Sequence, residues 1–61
     1  MPPFEFYTRI LFKDGTHKDI GHWDKRSALL CKTDLLRWAP PLFDGKCTNI
    51  IVIDKNDYFI G

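Results

Sequence analysis

The chain has no long hydrophobic run: none of its apolar stretches approaches the ~20 residues that a membrane-spanning helix needs. It also has no dominant charge. Nine Lys and Arg face eight Asp and Glu, for a formal net charge of +1. A dedicated nucleic-acid binder displays a basic excess and a DNA mimic an acidic one, so bulk charge supports neither class. Cysteine is scarce, and Cys31 and Cys47 form no Cys-x-x-Cys pair. The first residues, Met-Pro-Pro-Phe-Glu-Phe, lack the basic segment and apolar core of a secretory leader. These absences lead to the expectation of a cytoplasmic protein with both thiols reduced, no membrane contact and no cofactor. No repeat, low-complexity tract or linker divides the chain.

What is present is a dense apolar content. Hydrophobic residues make up 44% and aromatics 15% of 61 residues. That is too apolar for a disordered chain of such low net charge. A single compact domain covering 1–61 is expected. A domain this small buries only roughly 60% of the surface its unfolded chain exposes.

Residues 4–12 alternate with period two, which predicts a half-buried strand. Phe4, Phe6, Thr8, Ile10 and Phe12 share the face expected to meet the core. Lys13-Asp14-Gly15 reads as a turn, and a second, polar strand follows from Thr16 to His22. A three-residue loop with Gly15 as a bulge is preferred over a two-residue loop, because it buries Ile20 and exposes Asp19. Asp24 is a suitable N-cap for a helix reaching to about Trp38, with Trp23 available as a staple on Ala28. Helical periodicity groups Ala28, Cys31, Leu35, Trp38 and Ala39 as the core face, with Leu29 and Leu36 on its shoulder. Pro40 and Pro41 are expected to end the helix. Asp44-Gly45 is a turn. Asn49 to Ile53 is apolar on both faces, which predicts a central strand. Asp54 to Asp57 is a turn, and Tyr58 to Ile60 a short strand or extended tail. The fold class is therefore α+β, in the order β-β-α-β(-β), with one helix on a mostly antiparallel sheet.

Four groups of residues were weighed for function. His17, Asp19, His22, Asp24 and Cys31 are metal-ligand types, but His17 and His22 are five apart on a strand and point to opposite faces. No metal site is assigned. Cys31 lies on the apolar helix face, where a thiol is inert, and Ser27 has no placed base, so no catalytic residue is assigned and the chain is expected not to be an enzyme. Tyr7, Arg9, Lys18, Trp23, Lys25 and Arg26 interleave aromatics with cations, as a single-strand platform does, although Asp14, Asp19 and Asp24 interrupt them. Finally, Trp38, Leu42 and Phe43 join Leu30, Arg26 and Arg37 as a patch rich in the residue types of interface hot spots.

The expectation is a non-enzymatic accessory or regulatory protein that binds a protein partner or its own copy. Its size suits a modulator of the kind phages and mobile elements encode. The alternative is a small nucleic-acid-binding module.

Overall fold

A computed structural model describes residues 4–61, with the side chains of 39–43 left aside. Strands β1 (Phe6–Phe12) and β2 (His17–His22) precede one helix, α1 (Lys25–Phe43), and strand β3 (Cys47–Asp54). The sheet order is β2-β1-β3, with β1 antiparallel to both neighbours. The expected α+β class and element order hold.

The first hairpin has the bulged form. Phe12 N–H donates to Thr16 O at 2.9 Å and Gly15 N–H to Phe12 O at 3.1 Å. Gly15 supplies the left-handed backbone at φ 89° that this turn needs. The pairs Thr8↔Ile20 and Ile10↔Lys18 follow, so Ile20 lies on the core side. Asp54 to Tyr58 repeats the same geometry. Asp57 N–H donates to Asp54 O at 3.1 Å, and Asp54 N–H to Tyr58 O at 3.0 Å. Here the left-handed residue is Asp57, φ 66°, rather than glycine.

The even-numbered face of β1 carries the helix. Ile10 and Ile50 pair across the sheet and form the buried centre, with Phe12, Ile20, Leu35 and Cys47 packed around them. Ala28 is fully buried where the helix meets the sheet. Thr8 beneath it is also fully buried, and its hydroxyl donates to Ala28 O at 2.9 Å. A hydroxyl has one hydrogen. The 3.1 Å contact between Thr8 Oγ1 and His22 Nε2 must therefore be donated by the histidine. This fixes a proton on Nε2 and joins β1, β2 and α1 through one oxygen.

Several expectations are corrected. Phe4 is not on the core face. Its ring lies on the opposite face of the sheet, over Gly21, where it fills the space a Cβ would take. The strand begins at Phe6, so the alternation stops governing the side chain before it. Trp23 stacks on Phe4, with centroids 4.8 Å apart, and is 68% exposed rather than stapled down on Ala28. The helix does not stop at the prolines. It runs to Phe43 and ends at Asp44, φ 54°, followed by Gly45, φ 76°. Proline's fixed φ is compatible with a helix; what it removes is the N–H that the carbonyls of Leu36 and Arg37 would accept from. The left-handed pair Asp44-Gly45 is the true stop. Trp38, placed on the core face by periodicity, is 57% exposed, and Leu36 is 54% exposed.

β3 is not the central strand; β1 is. The outer edge of β3 is instead covered by the chain end. Ile60 N–H donates to Val52 O at 2.8 Å and Val52 N–H to Gly61 O at 2.9 Å, with a single bridge between Ile53 and Phe59. A bulge at Thr48 separates the pairs Leu11↔Asn49 and Phe12↔Cys47, which lets Cys47 reach the core.

Thr8→Val keeps the shape of the side chain but removes the bonds from Thr8 to Ala28 O and to the half-buried His22 ring. Urea unfolding is expected to show a loss of about 1–3 kcal/mol. Gly21→Ala should destabilise through the Phe4 ring, and should do so less in a Phe4→Ala background. A double-mutant cycle without coupling would show that the ring does not occupy that space.

Candidate functional site

The buried Ala28 fixes which way the helix faces. At about 100° per residue, positions on the far side of the axis turn away from the sheet. Arg26, Leu30, Thr33 and Arg37 occupy that outward side in one stripe, spaced 4, 3 and 4 residues apart. All four are exposed. Leu30, 56% exposed, lies between the two arginines, with Leu36 and Trp38 on the flanks. Of the protein-binding candidates, the structure thus brings Arg26, Leu30 and Arg37 together and sets Trp38 beside them. Leu42 and Phe43 lie on the last turn of the same helix, and their side chains fall outside the described ones.

The helix start is built from Asp24, whose Oδ1 accepts from Ser27 N–H at 2.7 Å. That hydrogen bond, then one from the Ser27 side chain, holds the carboxyl below its ordinary range. Lys25 and Arg26 immediately follow, in the first turn. Cations there oppose the helix dipole, so helix stability does not explain them.

The nucleic-acid candidates do not form one platform. Tyr7 and Arg9 lie on the sheet face away from the helix, opposite Gly21 and Asp19 in register, while Lys18 pairs with Ile10 on the helix side. Arg9 is already engaged. Its Nε and Nη2 donate to the two carboxylate oxygens of Asp19 at 2.9 and 3.0 Å, and Nη2 also reaches Asp57 at 3.3 Å. Asp19 is held below the ordinary carboxylate range, first by the Arg9 hydrogen bond, against a smaller upward push from burial. Arg9 is shifted up by the same bond. Trp23 stands at the edge of that face, and Lys25 and Arg26 begin the helix.

Sequence reasoning missed part of the open sheet face. Read across the strands, Phe4 over Gly21, then Tyr7, Ile53 and Phe59 form a row. Phe4 and Tyr7 meet edge to face at 6.2 Å. Trp23 extends one end of the row, and Phe59, 69% exposed, makes the other. The signal available was weak: Phe59 joins the row only because the last turn folds the chain end against β3.

The metal-ligand types stay apart. His17 pairs with Leu11 and His22 with Phe6, on opposite faces as their spacing requires. Among the described residues, no group of three or more His, Cys, Asp or Glu comes together. Cys31 and Cys47 are free, half-buried thiols. A cleft of about 280 Å3 is lined by Phe12, Lys13, Asp14 and Lys46. The Asp14 carboxylate there is occupied by the hydroxyl and N–H of Thr16, at 2.6 and 2.9 Å, which hold it below its ordinary range. Among the described residues, no helix is long and apolar enough to cross a membrane.

With this geometry in hand, comparison with protein families, curated proteins and solved structures found no match.

Asp14, Asp19 and Asp24 all have lowered folded-state values against an ordinary one near 3.8. The unfolded chain binds more protons than the folded chain in acid, so their stabilisation is complete above that value and is lost as pH falls through the lower folded values. The urea midpoint should stay level from neutral pH to ~5 and drop below it. Asp24→Asn keeps a capping oxygen without a titrating group. It should shrink the acid loss while leaving neutral stability nearly unchanged.

Proposed function

We propose that this chain is a non-enzymatic accessory protein that acts by binding another protein through the outward side of α1. Leu30, between Arg26 and Arg37, is the centre of the contact, and Trp38 its edge. The observation that carries this reading is the exposure of three large apolar side chains, Leu30, Leu36 and Trp38, on one helix of a 61-residue domain. Such a domain has little apolar surface to spare from its core, yet Leu30 is exposed on the outward side with Leu36 and Trp38 exposed on its two flanks. Arg26 and Arg37, with the exposed Asp34 between them on the same side by the helical repeat, give the patch a net positive rim. The partner surface should then combine apolar contact with carboxylates. The action would be occlusion: a rigid helix laid over a functional surface of the partner, in an accessory or regulatory role.

The nucleic-acid reading is weaker for a physical reason. Arg9 already serves two carboxylates, and Lys18 faces the other side of the sheet.

The test is capture from lysate at low and high salt, with and without nuclease. Leu30→Ser/Trp38→Ser changes exposed positions, so folding should be nearly unaffected. It should lower capture of the bound protein at least tenfold, while Lys18→Glu/Lys25→Glu should spare it. Capture of nucleic acid alone, lost with salt or nuclease and abolished by the lysine variant, would reject the proposal.

A further inference from the structure

The helix stripe and the open sheet face are opposites in character. The stripe carries one apolar residue, Leu30, and the hydroxyl of Thr33 between two arginines. The sheet face carries the row Trp23, Phe4, Tyr7 and Phe59, beside a cluster in which one cation, Arg9, faces two carboxylates, Asp19 and Asp57. That cluster has one uncompensated negative charge. Asp57 is its exposed member, with 74% of its side chain accessible. It also occupies a left-handed turn position where glycine would be relaxed. Aspartate is among the residues that tolerate this conformation, as Asp44 does at φ 54°.

The two faces lie on opposite sides of the domain. α1 covers the even face of β1, and among the described residues no helix covers the odd face. Strands sit ~4.8 Å apart, so the row from Gly21 through Tyr7 and Ile53 to Phe59 spans roughly 14 Å. A helix is ~10 Å across with its side chains. Ile53, in the middle of that row, is only 3% exposed, so a helix laid on this face would rest on the exposed rings at its two ends, Trp23 and Phe59. An acidic, aromatic face fits a basic, apolar helix, with an arginine able to stack on an aromatic ring.

We infer that the protein bound by the α1 stripe is a second copy of this chain, seated on its open sheet face. The inference rests on the proposed role of that stripe and names its partner. The contact is heterologous: the helix side of one copy meets the sheet side of the next. Association of this kind leaves a free helix face at one end and a free sheet face at the other, so it extends beyond a dimer unless a ring closes. Arg26 and Arg37 stand eleven residues apart, about 16 Å along the axis, so one of them reaches the Asp57 and Asp19 carboxylates while Leu30 meets the aromatic row. A standard contact of ~800 Å2 per copy would take roughly a fifth of the 4401 Å2 surface at each face. A single helix on a three-stranded sheet is smaller than that, which puts the association at the weak end.

Sedimentation velocity from about 10 μM to 1 mM tests this, the range being set for a weak interface. The average mass of the natural chain should rise with concentration past that of a dimer. Arg26→Glu/Arg37→Glu removes the helix face, and Asp57→Asn/Phe59→Ser removes the sheet face. Each should stay monomeric, with self-affinity lowered at least tenfold. Mixed in equal amounts, the two variants retain one good face each, and they should form a heterodimer and nothing larger. Trp23→Ser repeats the sheet-face test outside the turn, should Asp57→Asn/Phe59→Ser fail to give the circular dichroism of the natural chain.

A natural chain that stays monomeric at 1 mM overturns the inference. If such a monomer still captures a different protein through Leu30 and Trp38, the α1 reading stands and only the identity of the partner falls. Association that persists in both variants points to the free edge of β2 and overturns the inference as well. So does a monomer that binds a labelled single-stranded oligonucleotide and loses it on Phe59→Ser.

Discussion

The hydroxyl of Thr8 is the point on which the arrangement turns. It is buried, has one hydrogen, and gives it to the carbonyl of Ala28. His22 must then donate to the same oxygen. One atom thereby fixes the distance of helix from sheet, the rotation of the helix about its axis and the end of β2. Buried polar groups with every bond made are rigid and specific, and costly when one partner is lost. Ala28 allows the approach because nothing larger separates the helix backbone from β1. Its position also determines what the other side of the helix shows. Arg37 lies nine residues on, half a turn away by the helical repeat, so it must face out if Ala28 faces in.

Residues 4–61 leave one face and one edge of the sheet without a covering element. One face is covered by α1. One edge, that of β3, is covered by the last four residues, which return through a turn of the same type as the first hairpin. The other edge is β2, whose residues His17, Lys18 and Asp19 are polar and exposed, a composition that discourages pairing with a foreign strand. What remains is the odd face of the sheet. There the chain uses ring-on-ring contact, with Phe4 folded back over Gly21, and a three-member ion cluster in place of a second layer. Partly exposed ion pairs contribute little stability each, so this face is held together loosely compared with the Ile10–Ile50 side.

The parts of this design visible in the sequence are those dictated by local chemistry. Gly15, with the need to bury Ile20, set the hairpin register, because a one-residue slip would have put Ile20 in water. Asp24 marked the helix start because its carboxylate is suited to a free N–H. The misreadings came where a local rule met a geometric limit. Alternation through Phe4 continued on paper past the point where pairing with β2 and β3 ends. The prolines looked like a stop because they discourage helix at the preceding residue, yet the backbone closes at Asp44-Gly45, where two successive residues take left-handed conformations. Trp38 followed the periodicity of the core face, but its position is turned about 80° from Ala28, and it ends in solvent. Of the candidate surface, the stripe Arg26, Leu30 and Arg37 was legible from spacing alone. The aromatic row was not, since Phe4, Tyr7 and Phe59 are brought together by three strands and a terminal turn.

Natural chains tend to satisfy local preferences unless something else requires otherwise. This one departs from them in few places. Two cations occupy the first helical turn, against the dipole, and Asp57 takes a backbone conformation suited to glycine. Leu30 and Phe59 stand in water although the core of so small a domain would gain from apolar area. These departures are not scattered. Arg26 and Leu30 share the outward stripe of α1, while Asp57 and Phe59 share the open side of the sheet. Each side combines an exposed apolar residue with an exposed charge, Arg26 on one and Asp57 on the other, and the two charges are of opposite sign. A stability argument leaves Arg26, Leu30 and Phe59 unexplained, whereas Asp57 already pairs with Arg9. The contact we infer between the two faces would account for them together, because burial would remove the apolar cost and pair the charges in one step.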